Sequence, residues 1–484
     1  MAIADPLIQL RAAVYDVIGC FRDAAYPGYR VQRVFEGFVA CQKGGYKKPR
    51  IFIFKWKAQE RTTYAFTHNK FTSTPMAPLK VLICGGGCAG PALAFWLTRL
   101  GHHVTIVERF PALRATGAQI DFREQGIATL KVMGIIDEIR AKLVDEAGVA
   151  FVDSNGKILG TVFANTSGKG AQSITSEFEI MRGDVVRLLY DRTKDDVKYI
   201  FDTTVEDFEQ DEKSVLAHFS DGTSDTFDIL VGADGQGSRI RKAISPADAP
   251  NPYRKPGIHM AYYFIPREEG DSNIRRTYQA SKGRMIFRRT HNSTETQVYL
   301  ILKDESPEIS SVHRGSVEQQ KEFWTQRFRG AGWQTERFLE GMKTTENFYS
   351  QEVVQVQTST WHKGRVVLLG DAAHCPSPFS GMGTTLGFIG AYVLAGEIQK
   401  NPENLTLAFE NYDKVLRPFV DEVQNIKIGL IRRGIPDTQL GVTIIQWIVW
   451  FVCFLRIPYL ISRFSSEEKA GWPLPKYPAL KPSN

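Results

Sequence analysis

Residues Gly85-Gly86-Gly87-Cys88-Ala89-Gly90 spell a GxGxxG turn. In such a turn the first glycine permits a tight bend, the second lets backbone approach a pyrophosphate, and the third lets a helix pack close on its sheet. The chemistry served is anion binding, because a helix leaving the turn offers free N–H groups and the positive end of its dipole to phosphates. The flanks supply what the turn needs. Lys80–Cys84 is a short apolar run bounded by glycines, Pro91–Leu100 has helical spacing, and Val104–Val107 reads as a second strand. Glu108 closes that strand 18 residues past Gly90, where a carboxylate can accept from ribose hydroxyls. Strand, turn, helix, strand and acid in this order specify a dinucleotide site without choosing which dinucleotide.

Two later stretches repeat the strand-then-turn arrangement. Asp228-Ile-Leu-Val-Gly-Ala-Asp234-Gly235-Gln-Gly-Ser238-Arg-Ile-Arg241 ends its apolar run in Asp-Gly, and Arg365-Val-Val-Leu-Leu-Gly370-Asp371-Ala-Ala-His374 ends its run in Gly-Asp. Other chemistries find less support. The six cysteines form no CxxC pair and no Cys/His ligand spacing, so neither a zinc site nor a secreted disulfide framework is indicated, and no metal is expected. Cys88 and Cys375 lie near the motifs but lack partners for redox-thiol chemistry, and His374 reads as a residue that orders its loop rather than as a base.

The elements that must position these residues follow from pattern. At 484 residues the chain suggests two or three domains of roughly 150 residues each, with 43% hydrophobic side chains enough to bury a large core. The formal charge of +7 lies wholly in residues 1–75, which hold 12 Lys and Arg against 5 Asp and Glu; the rest balances at 48 of each, which disfavours a nucleic-acid surface. Residues 1–75 have no clear period. We expect them to be an N-terminal extension, with Met76 as the true initiator in preference to an added module. Asp5 and Asp16 interrupt any signal-peptide core, which points to a reducing, cytoplasmic compartment. Amphipathic helices are expected over Ile127–Ile139 and Asp184–Asp191. Short β segments fall between about 196 and 232, and β-rich runs at His259–Ile265, Arg284–Arg288 and Thr296–Leu302. The α/β pattern returns at Arg365–Leu369 and in a helix from about Thr384 to Ile398. The expected architecture is therefore α/β, with a discontinuous Rossmann-like domain over 76–245 and 350–430 into which a mixed-sheet substrate domain, 246–349, is inserted. Residues from about 150 to 180 would add to the substrate sheet, and 431–484 would form a C-terminal apolar helix and tail.

On its GxGxxG, DG and GD motifs, in that order, the chain from Met76 onward resembles the class A, single-component FAD-dependent monooxygenases with the p-hydroxybenzoate hydroxylase fold. The segments Arg114-Ala-Thr-Gly-Ala-Gln-Ile-Asp121-Phe-Arg, Met181-Arg182-Gly-Asp184 and Gly390-Ala-Tyr-Val-Leu-Ala-Gly-Glu397 are similar to its tetracycline-inactivating and fungal secondary-metabolite branch. The resemblance implies FAD contacts from Gly85, Gly87, Ala89, Gly90, Glu108, Arg109, Arg182, Asp234, Gly235 and Gly370. It places Asp121 beside the flavin–ribityl region, Asp371 on ribityl hydroxyls, and Arg114 at a position tied to NADPH docking. Pro378, Gly381, Met382, Gly383 and Thr384 would lie along the flavin, with Pro378 by its reactive edge. Glycines there let backbone come near the ring, and the helix starting near Thr384 would stabilise negative charge on reduced flavin.

The same resemblance implies that FAD takes hydride from NADPH or NADH and reacts with O2 to give a C4a-hydroperoxide, which oxygenates an aromatic or polycyclic small molecule. A second dinucleotide fingerprint is not visible in the sequence. Tyr262, Arg288 and Tyr299 are the pocket candidates; Tyr262 and Phe264 share one strand face, Ala261 and Tyr263 the other. The apolar stretch Ile444–Leu455, interrupted at Arg456 and Pro458, falls short of the ~18 residues needed to span a bilayer. We expect it to cap the FAD domain, with membrane contact through 444–461 as the less favoured alternative. Two other functions stay open: a flavin-dependent reductase on this fold, and a non-enzymatic, prenyl-protein-binding module of the GDP-dissociation-inhibitor class.

Overall fold

The computed structural model describes residues 77–115, 117–164, 178–457 and 472–480. The expected N-terminal extension and the residues from 458 to 461 lie outside them. The first sheet takes shape from apolar runs too short and too β-branched for helices. Its order is His362–Lys363, Val366–Leu368, Ile229–Gly232, Lys80–Cys84, His103–Glu108, Val197–Phe201. The last five are mutually parallel and His362–Lys363 adds an antiparallel edge. Val81, Leu82, Ile83, Leu230, Val231, Val366 and Val367 are all completely buried, as expected for central strands covered on both faces. Helix Ala89–Arg99 packs on helix Gly383–Lys400, which packs in turn on Leu405–Gln424. Residues 472–480 fold back over this layer: Trp472 stacks on Phe419 and donates to the Val415 carbonyl at 3.0 Å, and the Tyr477 hydroxyl lies 2.8 Å from Glu397.

A second sheet runs Tyr349–Glu352, Ile258–Pro266, Glu295–Lys303, Arg284–Thr290, Ile274–Ala280, Gly148–Val152, Ile158–Phe163. One face buries Tyr263, Ile265, Tyr278, Ile286, Val298 and Leu300 against Phe323, Trp324, Phe328 and Phe338 of helices Val317–Phe328 and Thr335–Thr344. Two expectations need correction. The single helix over 127–139 is two, Glu124–Met133 and Ile136–Arg140, because Gly134 adopts the left-handed conformation (φ 74°) and ends the first. The apolar C-terminal helix, Gln439–Phe454, does not cap the nucleotide sheet. It lies on strands Ile158–Phe163 and Ile274–Ala280 of the second sheet, where Gly160 leaves room for Cys453.

Candidate functional site

The three motifs meet because their strands are neighbours. Cys84 pairs with Gly232 and Gly232 with Leu368, so the GxGxxG, DG and GD turns leave the same edge of the sheet side by side. The Gly85 N–H donates to Val107 at 2.8 Å, Ala233 to Cys84 at 2.9 Å and Leu369 to Gly232 at 2.9 Å. Gly85 sits at φ 118°, and a Cβ there would strike the Ala233 carbonyl; one at Gly90 would strike the Gly85 carbonyl. By contrast nothing lies within 4 Å of the Cβ directions at Gly235 and Gly237. Backbone is thus packed tightly on the protein side of the turns and is open elsewhere.

Polar groups around this edge are set for a ligand. Glu108 accepts from the Gly86 and Phe110 N–H groups at 2.8 and 3.2 Å, fixing the turn. Asp234 spends Oδ2 on the Arg239 N–H at 2.8 Å, whereas its buried Oδ1 has no partner among the described residues. Arg109 lies over Phe110, and Arg114 is held between Phe110 and Tyr349 at 4.6 and 5.2 Å from the ring centroids. Arg182 Nη1 donates to the Arg114 carbonyl at 3.4 Å, and its other guanidinium nitrogen faces Gly87. Asp371 presents open surface yet is deeply enclosed by protein, the condition of a group on the floor of a cleft. Burial raises its carboxyl pKa, against the Cys375 thiol and Arg182. Asp121 pairs with Arg123 at 2.6 Å and takes a hydrogen bond from Thr385 on its carbonyl at 3.3 Å; Arg123 in turn approaches Gly381. An orphaned carboxylate oxygen, three arginines and unobstructed glycines fit the hydroxyls and diphosphate of FAD.

The structure adds positioning residues that sequence reasoning passed over. Arg241, 2% exposed, donates to the Ala372 carbonyl at 2.7 Å and to the Gln236 carbonyl at 2.6 Å, tying the GD helix to the DG loop. Its signal was its place, a buried Arg three residues past the helix-capping Ser238. Tyr349, whose ring Arg114 overlies, carried no sequence signal. His374 is buried against Trp361 at 4.9 Å, and burial pushes its imidazole down to about 3, which leaves it neutral and a very weak base. Burial likewise pushes the Cys84, Cys88 and Cys375 thiols up, keeping them unreactive.

The second sheet's other face looks toward the same region. Met260, Met285, Phe287 and Phe379 gather around Ile258, Ile301, Val353 and Ile435, so the loop carrying Pro378, Gly381, Met382, Gly383 and Thr384 abuts this face. Tyr262 pairs across strands with Tyr299, their rings 4.9 Å apart, and Tyr299 with Phe287. The Tyr262 hydroxyl is buried without a partner among the described residues; Tyr299 accepts from the Gln119 N–H at 3.2 Å and donates to Gln297 at 3.0 Å. Arg288 does not join them. Its register partner is Val298, which points to the helix-covered face, and there it binds Asp271 at 2.5 Å. Burial alone would raise the Asp271 carboxyl, but hydrogen bonds from Arg337 and Arg288 hold it well below the usual range. The arginine on the pocket side is Arg289, bound to Glu146 at 2.7 and 2.9 Å and to Glu179, which also receives Gln119. Next to it Arg275 lies over Phe287 at 4.0 Å, and burial and then repulsion from Arg289 lower its pKa to about 10.

With this geometry in view, comparison with known proteins is decisive. Residues 78–401 match the family model described as an FAD binding domain. The chain is 40% identical over 430 residues to the flavin-dependent monooxygenase eupH of a Phoma species, covering 84% of this chain and all of the relative. It is 38% identical over 428 residues to the FAD-dependent monooxygenase asL4 of Sarocladium schorii, covering 84% and 99%. Among solved structures, the tetracycline destructase Tet(51) superposes with TM-score 0.66 at 28% identity, over 84% of this chain and the whole of that one. The non-enzymatic alternative loses its basis. The chain belongs to the FAD-binding-domain family and is a class A FAD-dependent monooxygenase of the p-hydroxybenzoate hydroxylase fold.

Proposed function

We propose that the chain uses NADPH or NADH and O2 to oxygenate an aromatic or polycyclic small molecule, held between the Tyr262–Tyr299 face of the second sheet and the loop 376–384. The observation that carries this reading is that Phe379 of that loop packs against the sheet face that bears the two tyrosines. Bound FAD supplies the hydride acceptance and oxygen activation. The chain's own residues do the rest. The backbone around Gly381–Thr384 and the N-terminus of helix Gly383–Lys400, with no acidic residue in its first turn, favour negative charge at the ring edge. Arg109, Arg114 and Arg182 line the approach for an anionic dinucleotide. The aromatic and methionine lining excludes water, and the unpartnered Tyr262 hydroxyl offers one hydrogen bond to a substrate oxygen. Support for a polycyclic substrate also comes from Tet(51), whose name makes tetracycline its target.

Stopped-flow absorbance tests the reading. NADPH is expected to bleach the oxidised flavin anaerobically, and in air its oxidation is expected to consume O2 with oxygen incorporated into product. Bleaching with NADPH-coupled reduction of substrate and no oxygen incorporation would establish the reductase instead.

A further inference from the structure

Most of the large apolar side chains exposed by the described residues are gathered in one place. Leu440, Ile444, Trp447, Trp450, Phe451 and Phe454 stand on helix Gln439–Phe454, and Leu455 follows at its C-terminus; Trp447 is 65% and Phe454 67% exposed. Ile158 and Phe163 add to them from the edge strand beneath the helix. At about 100° per residue, the exposed positions span an arc of roughly 140°. Val442, Ile448, Val449 and Val452 fill the opposite arc and are buried. The helix contains no charged residue. A patch of this kind in a folded protein marks an interaction surface.

We propose that this face rests in the interfacial layer of an anionic lipid bilayer, the helix lying parallel to the membrane plane. The chemistry of the face selects lipid over a protein partner. A protein interface needs about one hydrogen bond per 100–200 Å², and the exposed stripe offers only indole N–H groups. Trp447 and Trp450 meet at 5.7 Å and Trp450 stacks on Phe454 at 5.2 Å, forming one aromatic ledge. Neither indole N–H has a partner among the described residues, and tryptophan favours a boundary where its ring is apolar on one side and wet at the nitrogen. The sheet behind holds the helix along its length, so it lies on a membrane; no helix among the described residues is long and apolar enough to cross one. Charge sets the lipid type. Exposed Arg456 follows the helix directly, with no side-chain partner among the described residues, and places a cation beside the aromatic ledge where anionic headgroups would lie.

The test uses the full-length, FAD-loaded protein with vesicles of phosphatidylcholine alone or mixed with phosphatidylserine. Co-sedimentation is expected with the mixed vesicles, with tryptophan fluorescence quenched by brominated lipid. The variant W447Q/W450Q/F454Q is expected to lower the partition coefficient at least about tenfold. R456E is expected to lower it about fivefold, on the anionic vesicles only. Flavin absorbance and Tm should match the parent in both, since these side chains face solvent. Four outcomes would overturn the proposal: no sedimentation with either vesicle; sedimentation without quenching; binding that the triple variant leaves unchanged; or a concentration-dependent dimer in analytical ultracentrifugation that the triple variant dissolves.

Discussion

At the six-stranded sheet the groups offered to the cofactor are mostly backbone, released by glycine at the ends of parallel strands. At the seven-stranded sheet the face proposed for substrate is built of side chains, Tyr262, Arg275, Arg289 and Tyr299, aimed by strand register and by the partners behind them. A site built from main chain tolerates change in most side chains but almost none in its glycines. A site built from side chains tolerates change singly and fails when the pairing that aims it is disturbed. The first design suits a ligand that does not vary; the second lets substrate preference drift on a constant frame.

The largest expected effect separates the two faces of the second sheet. Arg288→Met leaves Asp271 buried with Arg337 as its remaining cation, and should cost about 3–5 kcal/mol in denaturant unfolding. NADPH-dependent bleaching of the folded fraction should stay at the parental rate; a specific loss there would return Arg288 to the pocket. Arg241→Met tests whether the backbone site also depends on one buried side chain. It strands the Ala372 carbonyl and leaves that of Gln236 to the Tyr253 hydroxyl alone, with an expected loss of about 3 kcal/mol and weaker FAD retention on gel filtration. Gly90→Ala forces a Cβ against the Gly85 carbonyl, for an expected cost of about 1–3 kcal/mol and a preparation depleted in yellow colour, whereas Gly270→Ala, outside the three motifs, meets open space and should stay flavin-loaded. Tyr262→Phe removes a hydroxyl that has no partner among the described residues. Its unfolding free energy should hold or rise slightly while substrate KM worsens about tenfold, the worth of one hydrogen bond.

The smallest effect is a pH dependence confined to the second sheet. His259 Nδ1 and His313 Nε2 are 2.8 Å apart; His259 Nε2 must donate to the Asp304 carbonyl, so Nδ1 has to accept, and neither ring can take a second proton without breaking the chain. Burial lowers both pKa values, that of His313 to about 4 with help from His259, while Glu352 and Asp304 oppose the shift in His259 and Lys255 adds to it. The unfolded chain therefore binds protons first, so this stabilisation is complete above about pH 6.5 and drains away toward pH 4. Tm should fall by about 2–4 °C across that window beyond the decline of a His313→Gln variant. Equal slopes would dismiss the pair as a source.

What the sequence disclosed divides along the same line. Gly85, Gly90, Asp234 and Asp371 could be found because main-chain sites leave glycines and acids at fixed offsets from apolar strands. The tyrosine face was half legible: alternation put Tyr262 opposite Ala261 and Tyr263, but the parity of Arg288 depends on its pairing with Val298 in another strand, which no local pattern encodes. Strand Ile274–Ala280, reading Ile-Arg-Arg-Thr-Tyr-Gln-Ala, went unrecognised because its arginines look like a solvated loop. The Arg289 network joins residues 110 and 143 positions apart and has no local trace.

One feature of the C-terminal chain bears on how the protein should be handled. Tyr477 occupies the space that a side chain at Gly396 would need, and with Trp472 it buckles residues 472–480 across helices Gly383–Lys400 and Leu405–Gln424. Trimming the chain to discard its greasy helix for better behaviour in solution would also open that buckle. The shortened enzyme would then lose stability for reasons unrelated to membranes, and an internal exchange of the exposed aromatics is the safer edit.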